Sequence, residues 1–159
     1  MTSRPDQIST EIAAFVDQAR RYCAFVEKAG ERSLSVRLAD ARERLLQLYQ
    51  AGCALPRIAA PEGNGRGPHP ARPEAWPGFE DFEIYWEVFD PYVDEQRVSG
   101  SLSDDVLDVY FDVLRGLRLW DAESAKAAVV WEWRHGFDGH WGDHAIDALR
   151  ALHRACART

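Results

Sequence analysis

The chain has 159 residues, 46% of them hydrophobic and 28% charged, with a formal net charge of −7. That length and balance suit one globular domain with a proper core and exclude a disordered or fibrous chain. The acidic balance argues against nucleic acid, whose phosphates require a basic surface, and no apolar run approaches the roughly 18 residues of a membrane span.

The polar amino terminus, Met1 to Glu11, lacks the basic-then-apolar pattern of a secretory signal, so the cytoplasm is the expected location. Cys23, Cys53 and Cys156 lie far apart without CxxC spacing and read as reduced thiols. Arginine makes up almost all of the basic residues, with only Lys28 and Lys126 besides, which suggests a GC-rich bacterial genome.

The first predicted helix starts after a cap at Ser9 or Thr10. Ile12, Phe15, Val16, Ala19, Tyr22 and Val26 recur along it at helical spacing, and Gly30 ends it. A second helix is expected over 33–52, with Leu34, Leu38, Ala41, Leu45, Leu48 and Tyr49 on one face. The short connection makes residues 1–53 a helical hairpin. Over 54–78 the pattern breaks: six of the eight prolines fall there with four glycines, predicting a long, partly mobile surface loop that acts as a connector.

Residues 79–159 read as helical again. Phe79, Phe82, Trp86 and Phe89 suggest a short aromatic helix stopped by Pro91. Ser101 caps the next helix, with Asp104 three residues on. A further helix is expected from about Asp121 to Trp133, with Gly136, Gly139 and Gly142 breaking the chain after it. The last carries Trp141, Ala145, Ala148, Leu149, Leu152 and Cys156 on one stripe. No run shows sustained period-two alternation. The expected fold is therefore all-α: a single-domain bundle of five to six helices with a long Pro/Gly-rich loop.

Charge is unevenly placed. Eleven of the 26 acidic residues fall between Phe79 and Asp112 against one basic residue, Arg97, so that window carries −10. On the helix capped by Ser101, Leu102, Val106, Val109, Val113 and Leu117 form the buried stripe. Asp104, Asp105, Asp108 and Asp112 lie on the opposite side, with Arg115 placed to pair with Asp112. This reads as a solvated acidic face able to attract a basic partner. Phe111 sits apolar on that polar side and needs cover from a helix or a partner.

The second chemical candidate runs from Trp131 to His144. Glu132 and His135 form one Glu-x-x-His, whereas helical di-metal sites need two such motifs. His140 and His144 lie four apart and can in principle chelate one ion, with Asp147 on the same flank. Structural histidines bonded to carboxylates or backbone, and general acid–base work, are the competing readings. Phosphate loops, nucleophile elbows and Walker-type lysines are absent.

Three stretches together resemble one known family. They are Tyr85-Trp86-x-Val88-Phe89-Asp90-Pro91-Tyr92, then Ser101-Leu102-x-Asp104-Asp105-x-x-Asp108-x-Tyr110-x-Asp112-x-x-Arg115-Gly116-Leu117, and Trp131-x-Trp133-Arg134 with His140-Trp141-Gly142-x-His144. The family is a bacterial one of unknown function, number 5063 in the domain-of-unknown-function series, and the likeness spans roughly Phe79 to His153. It implies an α-helical protein without an assigned activity and carries over no catalytic residue.

The expected role is a non-enzymatic acidic binding or regulatory module that engages a basic protein, with no cofactor, nucleic acid or membrane involved. The alternative is a metal-dependent hydrolase or metal-binding bundle using His140, His144 and the aspartates of the helix after Ser101. A shared cleft favours the alternative; an open acidic face favours the binding module.

Overall fold

The computed structural model describes residues 5–159. Five α-helices and one two-stranded ribbon make up its regular structure: α1 (Pro5–Glu27), α2 (Leu34–Ala54), β1 (Ile84–Glu87), β2 (Val98–Ser101), α3 (Leu102–Asp121), α4 (Lys126–Gly139) and α5 (Trp141–Cys156). Among the described residues, no helix is long and apolar enough to cross a membrane.

The helical hairpin forms as the periodicity predicts, but α1 already starts at Pro5, so Ser9 and Thr10 lie inside it and do not cap it. Proline suits a first helical turn because its missing N–H would be unbonded there anyway. Residues 1–4 of the expected hairpin lie outside the described residues.

Helix α5 packs against both α2 and α3, and α1 closes the other side of α2 and α3. At the centre Phe15 meets Trp133 and Trp141, with ring centroids 4.9 Å and 6.0 Å apart. Both indoles satisfy their N–H groups: Trp133 donates to the Val113 carbonyl at 3.3 Å and Trp141 to the Trp133 carbonyl at 3.0 Å. The buried Tyr22 hydroxyl donates to the Val106 carbonyl at 2.8 Å. Burying an aromatic is favourable only when its polar tip finds such a partner. Leu38, Leu45, Val106, Val113 and Ala148 are buried on the expected stripes, whereas Leu149 is half-buried.

The segment expected as an aromatic helix over 79–89 is instead a 3-10 turn, Glu80–Phe82, followed by β1. Strand β1 pairs antiparallel with β2, Ile84 opposite Ser101 and Glu87 opposite Val98. The alternation was disguised because its outward face is the apolar one. Ile84 and Trp86 are exposed, while Tyr85 and Glu87 turn inward. The helix expected from Asp121 begins only at Lys126, since Glu123 and Ala125 adopt left-handed backbone at φ 54° and 50°. It then runs through Gly136 to Gly139.

The proline-rich segment between α2 and the 3-10 turn is pinned to the helices. Arg115 Nε donates to the Gly67 carbonyl at 3.0 Å, and Gly65, Gly67 and Pro70 are buried. The His69 ring lies 4.6 Å from that of Phe111, so this loop supplies the cover that Phe111 requires. Trp76 Nε1 donates to Ser103 Oγ at 2.9 Å and ties the loop's end to α3.

Helices α3 and α4 meet at Gly116, where an added Cβ would lie 2.2 Å from Trp133 Nε1. Real side chains do not approach so closely, and the buried indole has nowhere to go. We expect Gly116→Ala to destabilise the fold by about 1–3 kcal/mol in urea unfolding, the usual range for an overpacked core. A change near zero would contradict this packing.

Candidate functional site

The amino-terminal turn of α3 is set by two caps. Ser101 Oγ accepts from the Asp104 N–H at 3.2 Å. The Glu83 carboxylate accepts from Ser101 Oγ, Ser103 N, Ser103 Oγ and Phe79 N at 2.8, 2.9, 2.7 and 3.0 Å. Burial alone would raise the Glu83 pKa, but the donors on Ser103, Ser101 and Phe79 outweigh it and hold it below the ordinary value. A negative group here also suits the positive end of the helix dipole.

Asp105, in the turn so fixed, is only 6% exposed. Its Oδ1 accepts from His144 Nδ1 on α5 at 2.8 Å, and its Oδ2 from the Tyr85 hydroxyl on β1. Tyr85 reaches inward across Gly100, where a Cβ would lie 2.6 Å from the tyrosine ring. The same hydroxyl lies 3.0 Å from Glu87 Oε2, so one phenolic proton serves two carboxyl groups. Burial first, then Asp105, pushes the Tyr85 pKa far up.

The other nitrogen of His144, Nε2, faces Asp108 Oδ2 at 3.6 Å. The Asp105 hydrogen bond raises the His144 pKa against the opposing effect of burial, and the charges of Asp105, Asp108 and Asp147 add to it. Burial nevertheless raises the Asp108 pKa, with His144 and His140 opposing it. Asp147 turns toward Glu87, and burial followed by that neighbour pushes its pKa up to about 7.

Further along α3, Asp112 Oδ2 accepts from His140 Nδ1 at 2.7 Å. Its Oδ1 faces Arg115 at 3.5 Å and Arg66 at 3.8 Å. The two histidine rings meet edge-on at 4.9 Å. These groups form a continuous polar seam where α3, α5 and the hairpin join.

This seam changes the reading of the acidic helix face. Asp104 is exposed, but Asp105 is buried and Asp108 and Asp112 are partly covered. The apolar stripes alone do not separate the polar groups, because α5 turns its histidines onto the aspartates. The open face expected for Asp104, Asp105, Asp108, Asp112 and Arg115 is largely an internal contact.

Asp112, Arg115, Glu132, His135 and His140 line one cleft of about 300 Å³. Its charges are compensated within: two guanidinium groups flank Asp112, and His135 stacks on Trp131 at 4.7 Å. His144 directs Nδ1 to Asp105 at 2.8 Å while its Nε2 faces Asp108 at 3.6 Å, an arrangement that suits an imidazolium. Among the described residues, no three of histidine, cysteine, aspartate or glutamate are placed to hold one metal ion.

Sequence reasoning missed Glu83, Tyr85 and Glu87. For Tyr85 and Glu87 the spacing of two was the available signal, since it puts both on one face of a strand, whereas Glu83 lies in helical backbone just before it. The opposite face is exposed: Trp86 is 60% accessible, and beyond the strand Phe89 reaches 78% and Tyr92 96%. The Arg97 guanidinium lies over the Trp86 ring at 4.7 Å.

The model of a domain of unknown function, DUF5063, matches residues 77–158, which include the hairpin and every seam residue except Arg66. The crystal structure of protein BF1032 from Bacteroides fragilis, a Northeast Structural Genomics Consortium target, is similar in fold. The TM-score is 0.74 at 18% identity, covering 91% of each chain. No curated protein matches the chain.

The raised His144 pKa makes a signed prediction. The folded chain holds this proton more tightly, so the pair's stabilisation is full below about pH 6.5 and is lost as pH rises through the folded value. The stability gap between the wild type and His144→Gln, measured by urea unfolding, should therefore be larger near pH 6 than near pH 9. A gap that is constant or grows with pH would refute the pairing.

Proposed function

Because the chain belongs to DUF5063, a family of unknown function, we propose its role from its own surface: a non-enzymatic module that engages a basic protein through the β1–β2 hairpin. The observation that carries this reading is where apolar surface remains uncovered. Of nine exposed large hydrophobic residues among the described ones, six lie on the hairpin: Ile84, Trp86, Phe89, Tyr92, Val93 and Val98. Isolated exposed apolar residues are ordinary, but a contiguous group rimmed by polar residues marks an interaction surface. Aromatic anchors are also the residues that dominate protein interfaces.

Charge selects the partner. Asp94 and Glu95 are exposed between the strands and Asp90 is half-exposed, while the one basic residue of the hairpin, Arg97, already rests on Trp86. Such a surface favours a partner that combines apolar side chains with lysine or arginine and disfavours an acidic one. This reading requires no cofactor. Asp105 of α3 contributes by holding Tyr85 and thereby the hairpin, while Asp104 lies on the surface.

A basic amphipathic peptide of alternating lysine and leucine tests this in an NMR titration. Shifts should concentrate on residues 84–98, and affinity should fall steeply between about 0.05 and 0.5 M salt as screening grows. Trp86→Ser with Val93→Ser should weaken binding by at least about tenfold at unchanged melting temperature, as expected for lost anchors. Equal binding of an acidic peptide, or shifts confined to other surfaces, would overturn the proposal.

A further inference from the structure

A second cleft, of about 860 Å³, opens between the hairpin loop and helices α2 and α5. Its walls are apolar, with Leu46, Phe89, Tyr92 and Ile146 among them, and its volume falls in the range of small-molecule sites. Three basic side chains also line it: Arg42 on α2, and Arg150 and His153 on α5.

The helix packing sets two of these at one level of the cleft. Gly52 of α2 abuts Trp141 of α5, where an added Cβ would lie 2.7 Å from the indole. Stepping about ten residues back along α2 and about nine forward along the antiparallel α5 sets Arg42 level with Arg150. Among the described residues, neither has an ion-pair or hydrogen-bond partner. Eight arginines elsewhere are paired with carboxylates. Two like charges brought level beside an apolar cleft repel each other unless an anion lies between them.

The aspartates of the cleft do not fill that role. Asp90 Oδ1 accepts from the Tyr92 N–H at 2.9 Å, and Asp143 lies in the first turn of α5, where the helix dipole favours its charge. Asp147 is turned to Glu87, and burial and that neighbour push its pKa up to about 7. The acidic groups are thus satisfied within the chain, whereas the guanidinium groups are not. Phe89 and Tyr92 are shared with the hairpin's exposed apolar surface, whereas Ile84, Trp86, Val93 and Val98 lie outside the cleft.

We propose that this cleft binds a small amphipathic carboxylate, its apolar body between the hairpin and α5 and its carboxylate on Arg42 and Arg150. A monoanion is favoured because the aspartates along the walls penalise further negative charge. Guanidinium groups match a carboxylate in both charge and planar geometry.

Octanoate, 1-octanol and octylammonium, titrated into the full chain and followed by NMR, separate the head-group contribution from apolar burial. Octanoate should bind at least about tenfold more tightly than either of the others, with shifts at Leu46, Ile146 and Arg150. Replacing both arginines (Arg42→Gln, Arg150→Gln) should remove that advantage while leaving octanol binding unchanged. The head-group comparison needs only the wild-type chain, so it stands even if the double variant folds poorly. Equal affinity for octanol or octylammonium, octanoate affinity unchanged in a folded double variant, or no binding of any probe at millimolar concentration would overturn the proposal.

Discussion

Asp105 places a carboxyl group inside a helical protein, and such a group is stable only when its oxygens are bonded. His144 supplies one partner from α5 and Tyr85 the other from β1. Three elements distant in sequence are therefore locked to one side chain. The rotation of α3 against α5 follows, since only one face of each helix lets the imidazole reach the aspartate. The hairpin follows too, because Tyr85 must point inward, which turns Ile84 and Trp86 outward. The second pair, Asp112 with His140, extends the same register in the opposite chain directions of two antiparallel helices.

That constraint divides the acidic window into parts with different work. Glu83 caps α3, Glu80 pairs with the buried Arg37, and Asp105, Asp108 and Asp112 face histidines. Asp81, Asp94, Glu95 and Asp104 are exposed, as is Glu80 despite its pairing. A negative field calculated from sequence alone thus overstates the acidity of the helical body and understates the importance of the hairpin. Apolar surface shows the same division, being buried along the helices and uncovered on the ribbon.

The helices were legible because their buried stripes repeat at 3.6 residues, and α2, α3 and α5 lie close to where Leu38, Val106 and Ala148 predicted. The ribbon was not, because Phe79, Phe82, Trp86 and Phe89 mimic a helical face while the true alternation puts the apolar residues outside. Sequence patterns are read on the assumption that apolar means buried, and a binding surface breaks that assumption. For the site, the aspartates and histidines were found, but their convergence was not. Side-chain angles on each helix are local quantities, whereas the rotation of one helix against another is set by the whole core. Arg42 and Arg150 gave no signal at all, since an unpaired arginine differs from a paired one only in three dimensions.

His144 sits between the carboxylates of Asp105 and Asp108 and joins α3 to α5. Long-range proton–nitrogen NMR of the histidine side chains reads this directly, because the two ring nitrogens report their own protonation. The His144 ring should titrate with a midpoint above about 6.5, the ordinary value, with both nitrogens protonated below that midpoint. A midpoint at or below the ordinary one would contradict this pairing.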